Sequence, residues 1–188
     1  MEGNAKFVAG ELPAPTAIAE RRADTAGGQR PPAMILSCAD SRVPTEHVFD
    51  QLIGDIFVCR IAGNIATPGT IGSFEFAIAN FNSMLLIVMG HEKCGAVGSA
   101  IELRKAGTTA PGSIQSIVDA IAPALEATPK GSLEDDAYAD EVARMNARLI
   151  AKKLQTDSAI VREAVEAKRL KVVPAFYALA SGKVTLLS

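Results

Sequence analysis

Two apolar runs, "AMIL" at Ala33–Leu36 and "LLIVM" at Leu85–Met89, leave no polar residue at alternate positions. A strand with one wet face alternates apolar and polar residues. An unbroken apolar run instead fits a strand buried on both faces, as in a parallel sheet sandwiched by helices. Both runs end on residues that an apolar strand does not need. The first continues into "SCADSR", Ser37–Arg42, and the second into "GHEKC", Gly90–Cys94.

The surrounding pattern alternates in the same sense. Ala33–Cys38 reads as a strand, "PTEHVFDQLIG" (44–54) as a short helix closed by Gly54, and "DIFVCRIAG" as a second strand. "GTIGSFEFAIANF" is a helix, "MLLIVMG" a third strand, and a further helix begins at Cys94 and stops near Gly107. "SIQSIVDAIAPALEA" has helical apolar spacing, with Pro123 marking a kink or break. Residues 133–169 hold a long helix and a shorter one, "LKVVPAFYAL" is a fourth strand, and "ASGKVTLL" makes a terminal hairpin through Ser181-Gly182. Residues 1–32 read as an N-terminal arm, a short helix followed by irregular structure up to Pro31-Pro32.

This order predicts one α/β domain over 33–188, with about four parallel strands and an antiparallel strand at the C-terminus, flanked by helices. Ligands of such sheets bind beyond the carboxyl ends of the strands. Cys38 and His91 fall there.

Composition narrows the function classes. The chain has 188 residues and is 48% hydrophobic, enough for a single sizeable core. A net charge of −2 gives no electrostatic case for nucleic acid or an anionic membrane. No apolar run reaches a membrane-spanning length, and the N-terminus lacks the pattern of a signal peptide, so a cytoplasmic protein is expected. Three cysteines, Cys38, Cys59 and Cys94, do not make a disulfide framework.

Cys38, His91 and Cys94 offer two thiolates and an imidazole, a donor set suited to tetrahedral zinc. His91-x-x-Cys94 puts two donors at one helix start, and Cys38 would come from the neighbouring strand. Three protein ligands leave a fourth position for water, whose ionisation would supply a nucleophile at neutral pH. Asp40 can accept a proton from that group, and Arg42 can hold Asp40 ionised by paired hydrogen bonds. Asp40 could also swing to the metal and close the site. From the residues alone, metal ligation, thiol redox chemistry and plain burial all stay open for Cys38 and Cys94. Cys59, inside "IFVCRI", reads as packing, and His47 as a surface or helix-packing residue.

"CADSRVPTEHVFDQLIGDIFVCRIAGN" followed by "GHEKCGAV" resembles the β-class carbonic anhydrases, and the resemblance runs from "GNAKFVAG" to "GKVTLL". It implies zinc held by Cys38, His91 and Cys94, an Asp40–Arg42 catalytic dyad, and Asp40 as a fourth ligand in a closed state. It implies reversible hydration of carbon dioxide to bicarbonate and a proton by zinc-bound hydroxide. Gln29 matches a glutamine that binds substrate or bicarbonate. Phe57 and Phe76 match aromatics lining a small pocket shared across a dimer, and Gly95 allows close approach of substrate. A homodimer or tetramer of dimers follows, with an N-terminal arm, short here, that wraps the partner. Some relatives have a regulatory bicarbonate pocket of Trp, Arg and Tyr. Here Arg60 and Tyr177 match, but Ile35 stands at the Trp position. Pro174 and Ala178 replace the usual Gly and Asp. The competing readings are hydrolysis of carbon disulfide or carbonyl sulfide at the same site, and zinc or bicarbonate binding without turnover.

Overall fold

The computed structural model describes residues 1–11 and 13–188. Its centre is a five-stranded sheet in the order β2-β1-β3-β4-β5. The strands are β1 (Ala33–Ser37), β2 (Ile56–Arg60), β3 (Leu85–His91), β4 (Lys171–Tyr177) and β5 (Val184–Leu186). The first four are parallel, and β5 returns antiparallel to β4. In the β1–β3 register Ala33 faces Leu85 and Ser37 faces Met89, so β3 runs two residues further, to His91.

Among the described residues, eight helices surround the sheet: α1 (Glu2–Val8), α2 (Pro15–Asp24), α3 (Thr45–Val48), α4 (Pro68–Phe81), α5 (Gly95–Ala106), α6 (Ile114–Ala127), α7 (Asp135–Asp157) and α8 (Ala159–Glu166). One face of the sheet, with Met34, Leu36, Leu86 and Val88, packs on Phe74 and Ile78 of α4, Ile150 and Leu154 of α7, and Val161 of α8. The opposite face, with Ile35, Ile87 and Met89, packs on Val43, Val48 and Phe49. The unbroken apolar runs thus serve a two-sided core. Each fully buried aliphatic side chain contributes about 1.5–3 kcal/mol relative to exposure.

Four local features differ from the sequence reading. The segment expected to be irregular in residues 1–32 contains a second helix, α2. Pro15 opens it, and Ala17, Ala19, Glu20, Arg21, Arg22 and Ala23 all favour helix. α1 docks on its own chain: Asn4 Nδ2 donates to Val48 O and Gly182 O, and Val184 N–H donates to Asn4 Oδ1. α3 stops at Val48, well before Gly54, because Asp50 turns left-handed (φ 51°) and the Gln51 amide donates to the carbonyls of Phe49 and Asp50. α6 is not broken at Pro123. That residue is exposed, so water can satisfy the carbonyl it leaves free, while buried Ile121, Ala124 and Leu125 hold the helix on its other face.

Pro174 is explained by the edge it faces. Leu187 N–H donates to Pro174 O, but Pro174 has no N–H to return. β5 ends at Leu186, where that reciprocal bond is missing.

Candidate metal centre

Cys38 is the first residue beyond β1, His91 the last of β3, and Cys94 the N-cap residue of α5. No side chain caps this helix start, so the Cys94 sulfur is not used as a cap. One donor atom from each of the three lies within 4.8 Å of the others. All three residues are buried, Cys38 and Cys94 among Ile65, Val97, Ile121, Val142 and Phe176.

The imidazole is oriented for a ligand. His91 Nδ1 lies 2.8 Å from the carbonyl of Glu92. A carbonyl only accepts, so Nδ1 carries the proton and Nε2 keeps its lone pair. Nε2 is buried without a hydrogen-bond partner among the described residues. An orphaned buried acceptor beside two sulfurs is what a metal ligand set requires.

The two sulfurs are inequivalent. Donation from the Cys94 thiol, together with backbone N–H groups, pulls Cys38 well below an ordinary thiol against the opposing effect of burial. Cys94 moves the other way, because it donates to Cys38 and is itself buried. Gly63 N–H also points at Cys38 Sγ, at 3.4 Å. Gly63 has φ 72°, and a Cβ there would lie 2.8 Å from Ile121 Cδ1, so both backbone and packing call for glycine. Asn146 Nδ2 of α7 holds the Gly63 carbonyl at 2.8 Å. The sequence reading had no role for Asn146. Its signal was a fully buried amide in an otherwise apolar stripe with Ala143, Ala147 and Ile150.

Asp40 and Arg42 lie over this cluster. Asp40 Oδ1 accepts from Arg42 N and Nε, both at 2.9 Å, and Oδ2 accepts from Nη2 at 2.7 Å. These bonds hold the carboxyl well below the usual carboxylate range. Asp40 Oδ2 is 3.9 Å from His91 Nε2, yet its carboxylate is engaged by Arg42 rather than grouped with the three donors. Arg60, at the tip of β2, donates to the carbonyls of Cys38 and Asp40 and so ties two strand ends together.

The profile of the carbonic anhydrase family matches residues 33–184. The chain belongs to that family. Carbonic anhydrase 2 of Mycobacterium tuberculosis is 35% identical over 185 residues, covering 98% of this chain and 88% of that protein. A carbonic anhydrase of Mycolicibacterium smegmatis is 35% identical over 187 residues, covering 100% and 89%. Among solved structures, a β-carbonic anhydrase of Aspergillus fumigatus superposes with a TM-score of 0.82 at 26% identity, covering 92% of this chain and 83% of that one. One of two tetrameric β-carbonic anhydrases from Sordaria macrospora has the same fold, with a TM-score of 0.79 at 21% identity over 92% of both chains. These neighbours place the chain in the β class of carbonic anhydrases.

Of the other residues picked from the sequence, Gly95 adjoins the cluster, and Gln29, Phe57 and Phe76 lie elsewhere in the chain. Gln29 is exposed in the segment before β1, and Gly95 is exposed at the start of α5 with open space where a Cβ would be. Phe57 pairs with Met34 in the β1–β2 register, four residues before Cys38. That is about 13 Å of strand below the site. Phe57 and Phe76 both pack on Phe81, at 5.9 and 5.5 Å between ring centres, and Phe76 is 54% exposed. Cys59 is half-buried against the α4 side of the core, and burial raises its thiol. Tyr177 and Ile35 are both buried.

Proposed function

We propose that this protein catalyses the reversible hydration of carbon dioxide to bicarbonate and a proton, with zinc held by Cys38, His91 and Cys94. The observation that carries the reading is the converged set of two sulfurs and an orphaned imidazole nitrogen beneath an ionised, Arg-clamped Asp40. Zinc in this donor set would supply Lewis acidity and lower the pKa of water in its fourth position.

The chain's own groups do the rest. Asp40 is held ionised, so its carboxylate can only accept. A water between it and the ligand set must donate to Oδ2, which turns a lone pair away from Asp40 and towards substrate. Arg42 fixes the carboxylate in that orientation and opposes a swing towards the ligand set. Asp40 as a competing fourth ligand belongs to the same proposal. Gly95 leaves room for a small substrate at the start of α5.

Residues 33–188 form the catalytic domain in this reading, and residues 1–32 an arm. A homodimer completes the site. The exposed ring of Phe76, the unpaired edge of β2 and the position of Phe57 below its own chain's site all suit a shared pocket, to which the exposed Gln29 would contribute. No described helix is long and apolar enough to cross a membrane. A cytoplasmic setting suits Cys38 and Cys94, which must stay reduced to bind metal.

Stopped-flow carbon dioxide hydration, with metal content measured on the same sample, tests the reading. The expected result is about one zinc per chain and rapid hydration, both lost in Cys94→Ala and both kept in Cys59→Ser. A fully metallated, active Cys94→Ala protein would overturn the ligand assignment.

A further inference from the structure

Lys93 lies between His91 and Cys94 with φ 52°, a conformation that a residue with a Cβ adopts only when its surroundings hold it. Two contacts do so. Its N–H donates to Asp140 Oδ1 of α7 at 3.0 Å. Its carbonyl accepts from Arg42 Nη2 at 3.2 Å. The same Nη2 donates to Asp40 Oδ2, which faces His91 Nε2. The series Asp140, Lys93 backbone, Arg42, Asp40 is therefore continuous.

The groups near Asp140 are engaged elsewhere. Arg144, one turn along α7, pairs with Glu141 at 3.3 Å and lies over the Phe176 ring. Glu92 Oε2 accepts from Leu179 and Ala180 N–H. Among the described residues Asp140 makes no ion pair, and its hydrogen bond goes to Lys93. In the sequence it stands in "EDDAYADE", which reads as a solvated acidic face.

We propose that Asp140 is a positioning residue: by holding the Lys93 backbone it sets where the Arg42 guanidinium sits, and so how Asp40 faces the ligand set. This rests on the function proposed above. It also makes a claim about Arg42 that can be read without turnover. What Asp140 supplies is an acceptor oxygen rather than charge.

The test uses the full chain with Asp140→Ala and Asp140→Asn, alone and combined with Asp40→Asn. Asp140→Ala should keep its metal content and lose about 10-fold in kcat/KM, chiefly through kcat. Asp140→Asn keeps an oxygen in place and should restore most of the loss. In the Asp40→Asn background, Asp140→Ala should cost nothing further. The ¹H–¹⁵N signal of Arg42 Nε should be sharp in the wild type and in Asp140→Asn, and broadened in Asp140→Ala. If Asp140→Ala does not fold, Asp140→Ser replaces it, since its side chain is too short to reach Lys93. An unchanged Arg42 signal in the shortened variant overturns the proposal, as does an equal loss in the Asp40→Asn background. A wild type without hydration activity would refute the function proposed above, while the Arg42 signal would still decide the role of Asp140.

Discussion

Cys38 and Cys94 face the same space, yet their thiols are pushed in opposite directions, Cys38 down and Cys94 up. The thiolate is stabilised by donors, and the thiol is one of those donors. Metal binding must therefore expel a proton from the raised Cys94 thiol, whereas the lowered Cys38 gives up its own more readily. Uptake near pH 7 should release about one proton per metal from this pair, and affinity should rise about tenfold per pH unit. At acid pH Cys38 also becomes protonated, and the dependence should steepen. Calorimetric titration in buffers of different ionisation enthalpy measures the released protons, and release of none would contradict the inequivalence. Asp40 makes a second prediction at this scale. Its carboxylate stays ionised far below neutral pH, so its titration cannot produce a pH dependence between pH 6 and 9. Asp40→Asn should retain metal but lose about 100-fold or more in kcat/KM at every pH in that range. Wild-type turnover in that variant would remove the dyad from the mechanism.

At the scale of elements, α7 decides how the site is held. It crosses the end of β3 so closely that a Cβ on Gly90 would lie 2.8 Å from Ala143 O. That approach lets Asn146 reach Gly63 and Asp140 reach Lys93 from one helix. Gly90→Ala should push α7 and β3 apart and destabilise the fold by about 1–3 kcal/mol, through strain in a packed core. The melting temperature should fall by about 2–10 °C. Because His91 follows directly, metal affinity should weaken as well. A variant with unchanged melting temperature and metal affinity would show that the approach has slack.

At the scale of the molecule, one chain brings Cys38, His91 and Cys94 together beneath Asp40 and Arg42 but leaves Phe76 on the surface and Phe57 well below them. The edges of the sheet are β2 and the three-residue β5. In the proposed dimer, the β2 edge beside the aromatic cluster would be the seam for a second copy. Activity should therefore fall on dilution in step with dissociation seen by sedimentation. Full activity in a monomer would mean that the pocket closes within one chain.

The apolar runs by themselves determined the parallel sheet, because strands covered on both faces need apolar residues at every position. They also placed Cys38 and His91 at strand tips, since the tip is where each run ends. Local sequence likewise put the starts of α4 and α5 within a residue of where they lie, at Gly69 and Cys94 against Pro68 and Gly95. It misjudged α2, α3 and α6 where helix propensity, a left-handed Asp50 and an exposed Pro123 outweighed simpler punctuation. What only the tertiary structure decided is the set of contacts between distant elements. The grip of α7 on Gly63 and Lys93 joins residues 83 and 47 positions apart. Which thiol is lowered likewise depends on donors brought in from separate loops. No local pattern encodes such pairs, because their energies depend on distances set by packing.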